Sequence, residues 1–401
     1  MVNNKISSII IGLLLFITII LPSFVLMIFS TKSMAEGLFF ILVIHILIAL
    51  FSNSIRRKIR KLVNEFTLIM MIMCIVLFHG IQCFIWNDNF DLLRFFHTYI
   101  FLLFFLLGAL MFLQSAKELT KEKVDFTLNF VFYMLLMCAF FGAFKISPFT
   151  LKYAKPIVFF IEPSHFALDF LPFLLYMSLS LFHKFSNNYN FYLILLVFLL
   201  GILLQSFTLL VGTSLIFLIS NPLKKFFFFL ITMSAFALLN TEKMIFILSY
   251  FSSDNLSKVV FLSGFKRIYD NLKETFGFGF QQLGALGVNN NTSSLILSRY
   301  GLADLNLHDG GFVAVKLISE FGLLGIILII FYALFFFRIV IYLRRILLSK
   351  VKYESSLDIF FLSCYVMYVI DLFFRGTGYF SSTGFLFIAS LMWLISRKPI
   401  K

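Results

Sequence analysis

The chain has 401 residues, of which 61% are hydrophobic and only 13% charged, with a formal net charge of +14. A soluble domain is nearer half apolar and a quarter charged, so that class is excluded. The apolar residues instead fall into runs of the length that spans a bilayer as a helix, and the short alternating segments of a membrane barrel are missing.

In chain order the expected spans are 6–29, 35–54, 62–86, 93–114, 126–148, 164–183, 190–204, 208–220, 226–240, 312–337, 357–374 and 383–396. The fold class is therefore all-α and polytopic, with about twelve transmembrane helices. The first run lacks a small-residue cleavage site and reads as a retained span. The seventh, eighth, ninth and twelfth runs are short for simple crossings and fit re-entrant or obliquely buried helices as well. Cys74, Cys83, Cys138 and Cys364 all lie in apolar runs without CxxC spacing, which reads as small hydrophobes between packed helices.

Basic residues orient the chain. With the N-terminus in the cytoplasm, the cluster Arg56–Lys61 and the tail Arg397–Lys401 fall on the same side, which holds 20 of the 33 basic residues. The net positive charge is then chiefly a topological signal and no argument for nucleic acid. Both termini are expected in the cytoplasm and the long polar interruption outside it. The organisation that follows is spans one to nine over 1–240, a large outer loop over 241–311, and spans ten to twelve with a cytoplasmic tail over 312–401.

Inside the loop, Leu256, Val259, Val260, Ile268, Tyr269, Leu272 and Phe276 recur at near-helical spacing, interspersed with Lys258, Lys266, Arg267, Asp270 and Lys273. That pattern predicts an amphipathic helix at the membrane surface, stopping at Gly277-Phe278-Gly279. The cations that break the basic-inside rule gather at outer helix mouths, among them Arg94, Lys145, Lys266, Arg267, Arg299, Lys316 and Arg375. A cationic outer mouth suits an anionic ligand such as a phosphate, although any single lysine there can equally snorkel to headgroups.

Three outer places hold polar groups that a scaffold does not need. In Glu162-Pro163-Ser164-His165, Pro163 suits the first helical turn with Glu162 as cap, and His165 shares a face with Asp169. At His308-Asp309-Gly310-Gly311 a histidine able to take a proton near neutral pH stands beside a candidate cap, Asp309, and Lys316 and Glu320 follow one turn apart. The third is Asp371–Arg375 with Gly376-Thr377-Gly378-Tyr379, where a guanidinium beside glycines can grip phosphate or simply bridge a helix end. Arg94 and His97 repeat the theme at the fourth span. The sequence has no DxD pair, no GxxxxGK[ST] phosphate loop and no HExxH motif. A reaction on this face needs a substrate carrying its own activation, cations for the developing negative charge and a base for an attacking hydroxyl.

The residues Glu162-Pro163-Ser164-His165-Phe166-Ala167, Ser263-Gly264-Phe265-Lys266-Arg267, Phe276-Gly277-Phe278-Gly279 and His308-Asp309…Glu320-Phe321-Gly322-Leu323-Leu324-Gly325 together resemble the Wzy-type O-antigen polymerases. These belong with the O-antigen ligases among GT-C-like, lipid-dependent membrane glycosyltransferases. The resemblance implies transfer of a growing glycan from undecaprenyl pyrophosphate to the non-reducing end of an undecaprenyl-pyrophosphate-linked repeat unit. It further implies periplasmic chemistry at the inner membrane, no metal or other cofactor, and a chain-length regulator as a possible partner. It places His308 as base, Glu162 and His165 at the catalytic site, and Arg267 on the phosphate. The outward cations Lys266, Arg299 and Arg375 are further candidate pyrophosphate ligands on the residues alone, with Arg375 or Arg299 as the second phosphate ligand. The chain departs from the ligase pattern at Gln205-Ser206-Phe207-Thr208, where a ligase carries a Ser-Arg pair. An O-antigen ligase is the alternative within the class, and a polysaccharide transporter or flippase the alternative outside it. Against the latter stand a one-sided loop and the lack of matching halves.

Overall fold

The computed structural model describes residues 2–29, 33–51, 63–146, 156–184, 187–222, 225, 227, 231, 256–271, 275–284, 310–349 and 355–396. Among these residues the protein is helical throughout, with a single isolated bridge between Ile157 and Phe160. The helices are α1 (Val2–Phe29), α2 (Ala35–Phe51), α3 (Val63–Trp86), α4 (Leu92–Lys117), α5 (Lys121–Ala143), α6 (Pro163–Lys184), α7 (Asn187–Leu203), α8 (Phe207–Ser220), α9 (Leu256–Asn271), α10 (Val313–Phe321), α11 (Leu323–Ser349), α12 (Ser356–Phe373) and α13 (Ser382–Ser396).

Of the expected spans, 312–337 is divided between two helices and 226–240 lies outside the described residues apart from 227 and 231; each of the others overlaps one helix. Among the described residues six helices are long and apolar enough to cross a membrane: 11–29, 63–86, 92–117, 121–143, 323–347 and 356–373. The apolar helices Ala35–Ile48, Tyr189–Leu203, Phe207–Ser220 and Ser382–Ser396 are shorter. At about 1.5 Å per residue such helices fall short of the roughly 30 Å hydrocarbon core. The expected amphipathic loop helix is α9.

The expected span 312–337 is not one helix. It breaks at Gly322 (φ 55, ψ −128), leaving the nine-residue α10 and the long α11. Phe312 takes the cap position of α10, and the expected cap residue Asp309 is outside the described residues. α10 is buried along its whole length, whereas α11 exposes Leu323, Ile327, Leu328, Ile330, Phe331, Leu334 and Phe337.

The centre of the bundle is α6. Residues 166–180 are all buried, as expected of a helix surrounded on every side. It packs against α12, α8, α7 and α5, while α13 joins α12 to α4, and α1 packs on α2 and α5. Polar side chains tie these apolar surfaces together. Ser178 donates to Asn190, whose amide reaches Ser220 O at 3.3 Å. Ser382 donates to Asp169, and Thr383 to Asp371. At the end of the bundle opposite the loop, Lys117 Nζ lies 3.3 Å from Glu65 Oε1 and 5.5 Å above the Trp393 ring. Trp393 Nε1 in turn donates to Asp358 at 3.0 Å. All four cysteines are free, and Cys74 differs from the expectation in being exposed.

Candidate functional site

The loop is docked on the bundle through glycines. Phe278 N donates to Ser319 O at 2.9 Å, Gly279 N to Glu320 O at 2.9 Å, and Leu323 N to Thr275 O at 3.0 Å. Segment 275–283 is thus threaded along the break between α10 and α11. Its other side rests on α3, where His79 Nε2 donates to Phe276 O at 2.7 Å and the His79 ring stacks on Phe321. Two further contacts hold it to the α3–α4 turn. The Gln282 side chain accepts from Asp91 N at 2.9 Å and donates to Asp91 O at 3.1 Å, and Arg94 Nη2 donates to Leu283 O at 3.3 Å.

The break residue and the loop glycines need each other. A Cβ on Gly322 would stand 2.3 Å from Thr275 O, and one on Gly277 would stand 2.6 Å from Gly322 N. The two glycine-bearing motifs that carry the family likeness are therefore two halves of one backbone contact.

Beneath this docked segment is a cavity of about 1020 Å³. One side is cationic, with Arg94 from α4, Lys316 from α10 and Arg375 just beyond α12; Glu36, His97, Glu162, His165, Thr98 and Gln281 are among the other polar lining residues. Lys316 is only 2% exposed and lies 5.1 Å above the Tyr379 ring. The other side is apolar, formed by Phe39 and Phe40 of α2 and Ile100, Phe101 and Phe104 of α4. Phe40 and Ile100 are 57% and 55% exposed on the outer surface of the bundle. The cavity thus joins a charged head to an aromatic side wall that reaches the exposed apolar surface of the bundle.

Two of the three places marked in the sequence meet here. Arg375 Nη2 donates to Glu162 Oε2 at 3.0 Å and to Oε1 at 3.3 Å, and Ser164 Oγ donates to Glu162 Oε2 at 2.7 Å. Glu162 caps α6 through its carbonyl, which accepts from Phe166 N. Burial pushes the Glu162 carboxyl up, but Arg375, His165 and the Ser164 hydroxyl together outweigh it and hold it down at about 2. A carboxylate so firmly ionised is a poor proton acceptor near neutral pH. It is well suited to orienting the guanidinium instead, and the Arg375 Nε is left with no hydrogen-bond partner among the described residues.

His165 lines the cavity. Asp169, which shares its helix face, takes the hydroxyl of Ser382. Asp371, expected one turn from Arg375 on the same helix, accepts from Thr377 N at 3.0 Å and from the Thr383 hydroxyl, which shapes the turn that presents Arg375. Ser206, in the region where a ligase carries arginine, caps α8 and donates to Pro163 O at 3.2 Å.

His308 and Arg299 lie outside the described residues. Gly310 and Gly311, which follow His308-Asp309, sit beside Arg375: Gly376 N donates to Gly311 O at 3.0 Å. Arg267 is 9% exposed on α9, and neither it nor the half-buried Lys266 is among the residues of the cavity wall. Burial lowers the Arg267 guanidinium from its usual value, although an arginine remains charged at neutral pH. α9 packs on α10, with Gly264 against Phe312, Val315 and Gly310 O. The cations that do face the cavity besides Arg375 are Arg94 and Lys316.

Gln281 escaped notice in the sequence because it follows Gly277-Phe278-Gly279 in a stretch that reads as a flexible turn. Its only signal is adjacency to those glycines. Among the described residues no group of three or more His, Cys, Asp or Glu side chains could hold a metal ion. No protein-family model, curated protein or solved structure matches the chain.

Proposed function

We propose that the chain is a membrane glycosyltransferase of the O-antigen polymerase type, acting at the outer face of the cytoplasmic membrane on lipid-linked pyrophosphate sugars. One observation carries this reading. A single cavity combines Arg94, Lys316 and Arg375 with an aromatic wall open to the lipid-facing surface between α2 and α4. A phosphate head attached to a long hydrocarbon tail matches both halves at once, whereas a soluble sugar nucleotide matches only the first.

In this reading the three cations take the pyrophosphate and stabilise the charge that develops on it as the glycosidic bond to phosphate breaks. Glu162 holds Arg375 in its presenting geometry, and the incoming phosphate takes over part of that guanidinium. The acceptor hydroxyl gives its proton to a histidine; His308 by resemblance, with His165 and His97 on the cavity wall. Chain elongation needs two lipid-linked sugars, a donor glycan and an acceptor repeat unit. The twelve-span topology with both termini inside, and a regulator of chain length, belong to the same proposal.

The test is a deletion strain of the host examined by lipopolysaccharide gel and complemented with Arg375→Ala or Lys316→Ala. The proposal expects surface lipopolysaccharide with at most one repeat unit in the deletion and in both variants, with the variant proteins still present in the membrane. Abundant long chains in the deletion strain would refute it. Polymer retained on the lipid carrier with bare core at the surface would assign the chain as a ligase. Purified protein that lengthens lipid-linked glycans in detergent, with no vesicle gradient, separates the enzyme from a flippase.

A further inference from the structure

We propose that Gln281 reads the sugar joined directly to the lipid pyrophosphate, an assignment that rests on the lipid-pyrophosphate reading of the cavity. Gln281 lines the cavity and is 8% exposed. Its side-chain amide makes no hydrogen bond to any described residue, and it is not among the fully enclosed polar atoms lacking a partner. The amide therefore opens into the cavity with its donors and acceptor available.

Its backbone is held at φ 59, a conformation that glycine adopts freely and a glutamine side chain disfavours. Glycines stand at Gly277, Gly279 and Gly284 in the same segment, each also at positive φ. Position 281 alone in this run keeps a long polar side chain where the backbone favours glycine. The surroundings impose the conformation. The buried Glu320 carboxylate accepts from the Gln281 backbone N–H and from Leu283 N, and the neighbouring Gln282, 0% exposed, is clamped on both sides of the Asp91 peptide. Local strain overdetermined by its neighbours is characteristic of sites where a side chain must be aimed.

The chemistry selects the ligand. An amide carries no charge, so beside three cations it adds little to the hold on phosphate. Its paired donor and acceptor match vicinal sugar hydroxyls or an acetamido group. Gln281 is tied through Glu320 to the α10 turn that bears Lys316, and through Leu283 to Arg94. It thus shares the cavity wall with two of the cations that hold the pyrophosphate in the proposed function. The nearest aromatic faces are already occupied, since Phe280 stacks on Tyr379 at 5.8 Å and Lys316 lies over the same ring. Gln281 is the one carboxamide among the lining residues.

The experiment uses the full chain in lipid nanodiscs and measures Kd by isothermal titration. The probes are farnesyl pyrophosphate and the same lipid bearing one glucose, galactose, N-acetylglucosamine or N-acetylgalactosamine. In the wild type at least one sugar should tighten binding by about tenfold, the equivalent of one net hydrogen bond. In Gln281→Leu that ratio should fall to near one. Gln281→Gly should lose the ratio as well while keeping or raising the melting temperature, because glycine relieves the backbone; this variant decides if the leucine protein does not accumulate. A ratio that survives in the glycine variant, or a wild type that binds no sugar of the panel better than the bare lipid, overturns the proposal. Failure of the wild type to bind bare farnesyl pyrophosphate would instead overturn the lipid-pyrophosphate reading, and the sugar assignment with it.

Discussion

Gly322→Ala is the substitution that tests whether the loop is held by the helix break. At φ 55 and ψ −128 the residue sits where a side chain costs on the order of 1–3 kcal/mol. The added Cβ would also lie 2.3 Å from Thr275 O and 2.7 Å from Gly277 N, closer than carbon can approach either atom. Both neighbours are backbone, so no rotamer change relieves the contact. The segment must give way. At the break itself docking rests on three backbone hydrogen bonds, Phe278 to Ser319, Gly279 to Glu320 and Leu323 to Thr275, each worth about 1 kcal/mol net. Their loss amounts to roughly 3 kcal/mol, or about a hundredfold in the opening equilibrium. Hydrogen exchange on the full chain in nanodiscs reads this directly, and protection at Phe278, Gly279 and Leu323 should fall by about that factor. Protection within threefold of wild type at those amides would show that the loop is held elsewhere. Because Gln281 rides on the same segment, the proposed function expects polymer length to shorten in the same variant.

Other expectations follow from single contacts. Glu162 is held at about 2 against an ordinary 4.5, so its contribution to stability is complete above about 4.5 and disappears as pH falls toward about 2. Its side chain is 38% exposed, and water screens the pair to about 1 kcal/mol or less. The melting-temperature gap between wild type and Glu162→Gln should therefore be small at neutral pH and close on acidification; a gap that widens on acidification refutes the pairing. Val158 occupies φ 51 in the turn closed by Ile157 and Phe160. Val158→Gly removes about 1–2 kcal/mol of backbone strain and costs about 0.4–1 kcal/mol in unfolded-chain entropy, so a slightly higher melting temperature is expected, and a lower one counts against the strain. Trp393→Phe keeps the ring under Lys117 but removes the indole donor to Asp358. A loss of about 1.5–3 kcal/mol should appear as a lower melting temperature, and an unchanged one would mean the indole bond contributes nothing.

Helix positions were legible because a bilayer forces every backbone polar group into a helix, and apolar run length follows. Lys316 and Arg375 were visible as cations on the wrong side of the basic-inside rule. Their meeting was not, since they come from α10 and the end of α12, and only the packing of those helices about α6 brings Glu162 to Arg375. The broken tenth span was hidden for a different reason. Gly322 lies in an apolar run of membrane-spanning length, and a glycine inside such a run is common. What makes it a break is Thr275, some fifty residues earlier in the chain and packed against it. The same fact changes how the likeness to polymerases reads. Glu320-Phe321-Gly322 and Phe276-Gly277-Phe278-Gly279 look like catalytic signatures, yet many of their described contacts build the loop's seat: backbone to backbone at the break, and both Phe276 and Phe321 on His79. Glu320 accepts from Leu283 N and lies beside Gln281, Lys316 and Tyr379, and Gly277 and Gly322 let two backbone segments touch. On this geometry such motifs specify how the loop is clamped above a cavity, while in the proposed function the residues that differ in charge and reach along the wall, Arg94, Gln281, Lys316 and Arg375, select what the cavity holds.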